Sequence, residues 1–418
     1  NYGRRSLALT TASAVTALAA AVLARRRALA PVRTVRAEQA TSLVLGLTVA
    51  ASLVAHVVRS PGPDDIPPRP ASFVLLAVVA LLVLATHLPV IDQTLTRTGI
   101  PVGSLRLPVW IVCAGGMGLA VLRSVPAPFI DVWTFQQEAV AALLRGEDPY
   151  AHAFTNVFGN LAFFSPAIAD TRFIHAFPYP PLTILLGIPA YLLAGDTRYT
   201  MLVAILVGAW AIARLAPGRV GTLGAAAVLF HPRTFHVLDR AWTEPTVLAA
   251  MGVTLLAVVA VGCPPVILSP SKGDPASKGD RRWWLVALSG VLLLASKQYA
   301  PLFVVPLLPL IPARARLRSG ALAIGLLLVV FVPFAAWDFH AFWRGVVQMQ
   351  ALQPFRDDSL SWPAGLVQSF GLAPLPAWVG FVAAAAAMAI TWPRHGSMAG
   401  AVLCGTVSFL FFLLLGKQ

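Results

Sequence analysis

Ionisable side chains are scarce in this chain, so their few clusters mark where chemistry could occur. The stretch PFIDVWTFQQEAVAALLRGEDPYAH (128–152) opens with Asp131 and continues with Glu138, Asp148 and Tyr150, and Tyr179 follows at the head of the next apolar run. A second stretch, WDFHAFWRGVVQMQALQPFRDDSLSW (337–362), collects His340, Arg344, Arg356, three glutamines and Asp357-Asp358. Lys297 sits in SKQYAP (296–301) between two apolar stretches, and an ionisable group at such a depth is a functional candidate by default. A carboxylate can accept a proton or a hydrogen bond, and guanidinium groups grip oxyanions in pairs of hydrogen bonds. A fourth group lies in HPRTFHVLDRAWTEP (231–245): His231, Arg233, His236, Asp239, Arg240 and Glu244. His231 and His236 are five apart, not the four of a helical zinc pair, and no metal is predicted.

These residues need elements to hold them. Val132, Phe135, Ala139, Ala142 and Leu143 recur at i, i+3, i+7, i+10 and i+11, one apolar stripe of an amphipathic helix lying on the membrane surface. Gly146 fits its C-terminal cap and Pro149 stops continuation. Asp131 stands at the start of that helix, where a carboxylate can cap free amides and still face a cavity. Pro178, Pro180 and Pro181 stiffen the entry to the following run.

The chain of 418 residues is 58% hydrophobic and 11% charged, with mean hydropathy +0.77, too little charge to cover a soluble protein of this length. Apolar runs long enough to cross a bilayer recur from end to end, so the expected fold is all-α, a polytopic transmembrane helical bundle. The net charge of +14 comes from arginines clustered at span ends, which points to anionic lipid and excludes nucleic acid as partner. Cys113 and Cys404 lie in apolar runs and Cys263 at a span end, which gives no disulfide framework. The chain begins at Asn1 and ends just after an apolar run, so sequence is expected beyond both ends.

Candidate spans fall near 6–24, 41–58, 72–91, 107–123, 179–194, 199–213, 220–236, 245–262, 284–310, 320–337, 364–391 and 397–415. The basic runs 25–36 and 314–318 place those turns in the cytoplasm, and the acidic loop 124–178 on the opposite, external side. Counting spans leaves the side of the cluster 231–244 open, and of the two sides the cytoplasmic one, as a positive-inside loop, is the preferred reading. The run 284–310 is ambiguous: one long helix would put its basic ends on opposite faces, and a hairpin with Lys297 at its apex would keep both inside. The Ser-Lys-Gly-Asp repeats of 264–282 read as a disordered linker.

Asp131 at the head of an acidic loop, then ALLRGEDPY, then FPYPPL opening the next run, resembles the GT-C superfamily of integral membrane glycosyltransferases. It is most similar to the polyprenyl-phosphate-mannose-dependent branch. The resemblance extends to HPRTFHVLDRAWTEP, SKQYAP and the late loop, and covers roughly 107–418. Residues 1–100 are then extra N-terminal helices before a core of 101–418, with external loops 124–178 and 338–362.

The resemblance implies a donor sugar, mannose-like, on a polyprenyl phosphate, a glycan, lipid or wall-polymer acceptor, and a plasma-membrane enzyme working on the external face without a cofactor. It makes Asp131 the general base toward the acceptor hydroxyl. Arg344, Arg356, Lys297 and His340 become candidates for the donor phosphate, and Glu138, Asp148, Tyr150 and Tyr179 line the substrate loop. The competing expectation is a transporter or lipid flippase. It predicts paired, interrupted helices in two related halves, and no internal repeat is apparent.

Overall fold

The structure, a computed structural model, describes residues 35–58, 70–97, 101–216, 218–261, 282–356, 361–376, 378–392 and 398–415. The expected span 6–24, most of the basic run 25–36, all but the last residue of the linker 264–282, Cys263 and Asp357-Asp358 lie outside these residues.

The chain is an all-α, multi-pass helical bundle. Six helices among the described residues are long and apolar enough to cross a membrane. They lie in α1 (Val35–Val58), α4 (Val102–Ser124), α7 (Arg198–Leu215), α10 (Glu244–Val261), α13 (Ala313–Trp337) and α18 (Met398–Leu415). A seventh crossing is formed if α2 (Ala71–Ala85) is joined to α3 (Pro89–Arg97) across their 84° bend.

Small residues bring the spans together. Leu202 and Leu238 pack over Gly118, and a Cβ on Gly252 would come within 2.6 Å of the Ala211 methyl carbon. Gly208 similarly receives Leu248. Close backbone approach of this kind replaces the hydrophobic drive that lipid cannot supply.

Between α4 and α7 the chain forms a cap on one face. It contains α5 (Asp131–Leu144), a two-residue antiparallel ladder of β1 (Phe154–Thr155) and β2 (Phe173–Ile174), and α6 (Pro181–Ala194). The expected stripe of α5 is turned inward: Phe135, Ala139 and Ala142 are buried, and Gly146 takes a positive φ of 77° to end the helix. Asp131 is the first helical residue, one place inside the cap position.

The sequence reads α6 as a span, and it does not cross. Its fourteen residues reach about 21 Å, short of the roughly 30 Å hydrocarbon core. The preceding Pro178–Tyr179 lies in the cap, and the Gly195 that ends α6 accepts a hydrogen bond from Gln137 of α5 at 2.9 Å. Thr197 N–H then donates to the same glutamine at 2.8 Å. Buried Arg198 begins α7 by donating to the carbonyls of Val125 at 2.7 Å and Pro126 at 3.3 Å, where α4 ends. Both ends of α6 therefore stay on the loop face.

One crossing fewer reverses the direction of the next helices. α7 runs away from the loop face. The broken pair α8 (Arg219–Leu229) and α9 (Pro232–Asp239) returns to it. The sequence reading of 231–244 as a loop on the opposite face is thus corrected for its C-terminal half. Arg240 donates to the carbonyl of Phe129 at 3.3 Å, and buried Arg198 donates to the carbonyl of Asp239 at 3.2 Å.

The run 284–310 is a hairpin. α11 (Trp283–Leu294) breaks at 295–300, and the chain returns through α12 (Pro301–Val304) and a 3₁₀ turn, Val305–Leu310. Ser319 of α13 donates to the carbonyl of Trp283 at 2.8 Å, so both basic ends lie on one face with Lys297 at the opposite apex. The expected single span 364–391 is divided into α16 (Trp362–Phe370) and α17 (Trp378–Thr391). Gly371, at φ 64°, ends α16, and Pro374 and Pro376 stand before α17.

α13 leads into the late loop, made of α14 (Phe339–Trp343), a π-helical turn (Arg344–Gln348) and α15 (Met349–Leu352). This loop folds onto the cap. Phe342 and Met349 share a buried cluster with Phe135, Tyr150, Phe154 and Phe177, and the Tyr150 and Phe342 rings are 5.0 Å apart.

Candidate functional site

Three segments distant in sequence meet around the carbonyl of Pro178. Gln298, next to Lys297 at the hairpin apex, donates to it at 2.8 Å and to the Val346 carbonyl at 3.3 Å. Gln350 of the late loop donates to it at 3.4 Å. Gly345 lies so close to Phe177 that a Cβ there would clash with the Phe177 carbonyl oxygen unless the backbone shifted. The late loop thus seats against this backbone most closely with glycine at 345, and this contact places it beside FPYPPL.

Asp131 lies within electrostatic reach of Tyr179, the residue after Pro178. Its Oδ1 accepts from the N–H of Val132 at 2.8 Å. Burial pushes its carboxyl above the ordinary carboxylate range, against the opposing pull of that N–H and of the positive charge of Arg356. The Tyr179 hydroxyl is held well above its ordinary value, chiefly by burial and then by the negative charges of Asp131 and Glu244. Tyr179 therefore lies within electrostatic reach of two carboxylates. Lys297 Nζ stands 5.2 Å from the centre of the Tyr179 ring and 5.9 Å from that of Tyr299, and pairs with Glu244 at 3.0 Å. Arg356 stacks over Phe163 at 5.2 Å, and Phe163 continues through Phe158 to Phe129, two residues before Asp131.

The structure therefore gathers Asp131, Tyr179, Lys297 and Arg356 from the residues singled out in the sequence. It also adds Glu244, which the preference for the cytoplasmic side of its loop had left out, and Gln298, whose role only tertiary structure reveals. The other candidates are engaged elsewhere. Glu138 accepts from the N–H and hydroxyl of Thr155 at 3.0 and 2.7 Å, which ties α5 to β1. Asp148 accepts from the N–H of Tyr150 at 2.8 Å and closes the turn after α5. Tyr150 is fully buried and donates its hydroxyl to the Tyr179 carbonyl at 2.8 Å, so it positions Tyr179 from behind. Among the described residues no hydrogen bond, ion pair or ring contact joins Arg344 or His340 to Asp131, Tyr179 or Lys297. The Arg344 Nε is nevertheless buried without a hydrogen-bond partner.

An apolar groove of about 320 Å³ runs between α10, α11, the 3₁₀ turn and α13. Leu294 and Pro301 line it nearest Lys297, Val258, Val286 and Leu307 form its walls, and Arg316 and Ser319 stand at the far end. Chemically, the arrangement offers a carboxylate prone to take up a proton, Arg356 within electrostatic reach of it, Lys297 beside the Tyr179 ring, and a separate apolar groove that begins at Leu294 and Pro301 on either side of the apex in sequence.

No cluster of three or more His, Cys, Asp or Glu side chains that could hold a metal ion occurs among the described residues. No family model, curated protein or solved structure matches the chain.

Proposed function

We propose that this protein is a membrane glycosyltransferase that moves a sugar, most simply a mannose-like hexose, from a polyprenyl phosphate to an acceptor hydroxyl. The work takes place on the loop face, which in this reading is the outer face of the plasma membrane. The observation behind the proposal is the largely buried carboxyl of Asp131, shifted toward neutral pH and sharing its surroundings with Tyr179, Lys297 and Arg356.

In this reading Asp131 removes the proton from the acceptor hydroxyl as its oxygen attacks the anomeric carbon. The bond from that carbon to the phosphate oxygen breaks, and the electron pair leaves with the lipid phosphate. Lys297 and Arg356 meet the charge that develops there. A pKa raised by burial suits a general base, because it strengthens the carboxylate's affinity for the proton it must take. The lipid tail lies in the groove beneath Lys297, whose lining is aliphatic apart from a threonine, a serine and an arginine. That lining favours a transferase over a flippase, since a headgroup crossing the bilayer needs polar partners along its route.

The test is transfer from labelled polyprenyl-phosphate sugars by membranes bearing the wild type or Asp131→Asn. The variant is expected to lose about 10²–10⁴-fold in rate. Equal rates would remove Asp131 from the reaction, and an absence of transfer from every donor by the wild type would overturn the proposal.

A further inference from the structure

Lys297 is already occupied in the resting protein. Its Nζ lies 3.0 Å from Glu244 Oε1, with 15% of the lysine side chain and 47% of the glutamate side chain exposed. Any lipid phosphate that reaches Lys297 from the groove must therefore compete with a carboxylate of this chain. Glu244 is the first residue of α10, an eighteen-residue helix, where the helix dipole favours negative charge. It retains a favourable position after letting go of the lysine, and its greater exposure lets water solvate it as it swings away. Lys297 has no such freedom, being flanked by the Tyr179 and Tyr299 rings.

We infer that Glu244 is an intramolecular stand-in for the ligand's phosphate. It holds Lys297 in orientation until the donor arrives, yields to the donor, and returns to displace the lipid phosphate that is left behind. The inference rests on Lys297 being the phosphate ligand. It makes Glu244 a positioning residue that sets how tightly phosphorylated lipid is held. A carboxylate of purely structural value would instead weaken the site when removed.

The experiment is calorimetric binding of farnesyl phosphate to the purified full chain in detergent micelles, with farnesol and inorganic phosphate as separate arms. Removing a half-exposed ionic competitor should tighten binding by about fivefold. Glu244→Gln is therefore expected to bind farnesyl phosphate about fivefold more tightly than wild type and farnesol equally well, and Glu244→Ala should shift in the same direction. Unchanged or weaker binding by both variants, with Lys297→Gln still losing affinity, would overturn the stand-in role and leave the phosphate assignment intact. Lys297→Gln binding as well as wild type would overturn both. A gain of equal size for farnesol would also overturn the inference, because the competition would then not be for the anion.

Discussion

The cap and the span bundle are held together by opposite means. The cap has a centre of aromatic rings, with Phe135 5.2 Å from Phe154 and Tyr150 5.5 Å from Phe177, and its irregular backbone is tied down by side chains such as Gln137, Glu138 and Gln298. The bundle is held by the absence of side chains, at Gly118, Gly208 and Gly252, where neighbouring helices fill the space. Water drives burial of the rings, whereas lipid offers no such drive to the spans. The proposed chemistry accordingly falls in the cap, where side chains hold the backbone in place, and the apolar groove falls in the bundle.

Substitutions can break or sharpen that contrast. The largest effect belongs to Asp131→Asn, with its loss of about 10²–10⁴-fold in transfer. The same variant should melt at a higher temperature than wild type at neutral pH. Burial raises the Asp131 pKa in the folded chain, so the stability linked to its proton is complete below the ordinary carboxylate value and is lost as pH rises through the raised one. Asparagine escapes that loss. By the same linkage, the acid limb of the activity profile should lie above the ordinary carboxylate pKa of about 3.9. A variant that is both inactive and less stable would refute this account.

Gly345→Val comes next. The new side chain would collide with the backbone of Phe177 and lift the late loop, and a displacement of about 1 Å costs about 10²-fold in rate. Limited proteolysis should then cut within 344–356 in the variant and spare the wild type. In the bundle, Gly252→Val should cost about 1–3 kcal/mol of stability, read as thermal melting in micelles, with little change in the rate of the molecules that remain folded. Tyr150→Phe removes one hydrogen bond to the Tyr179 carbonyl, worth about 1 kcal/mol, and leaves the ring cluster in place. The smallest effect is expected from Arg145→Ala, which breaks a solvated pair with Glu147 and should leave melting temperature and rate where they were. A large effect there would mean that the rim of the cap matters as much as its centre.

The parts of this molecule governed by local rules were legible in the sequence. The stripe of α5 with Gly146 and Pro149 behind it marks a helix from spacing alone, and the basic flanks of SKQYAP make a hairpin one of its two readings. Gly371, Pro374 and Pro376 carry the break after Phe370, although the apolar run 364–391 reads through them as one span. What escaped depends on length and partners. α6 is as apolar as a true span, and only its fourteen residues, its internal Pro189 and the hydrogen bond from Gln137 separate it from one. Counting that helix as a span left the face of Glu244 open, with the opposite side preferred, and so kept it out of the site. Of the cationic candidates, spacing could not distinguish Arg356 from Arg344, because their positions are decided by how the π-helical turn and α15 fold onto the cap.

The shortness of α6 also bears on how the protein is made. During biosynthesis the whole stretch from Val125 to Thr197 has to end up on one side of the bilayer as one piece, with a greasy helix inside it that the insertion machinery must decline to leave in the bilayer. Two prolines at the head of that helix and one within it weaken it as a stop signal until Gln137 is available to dock it. Extending α6 by a single turn of leucines would therefore strand the following segments upside down, and no residue of the reaction would have been touched.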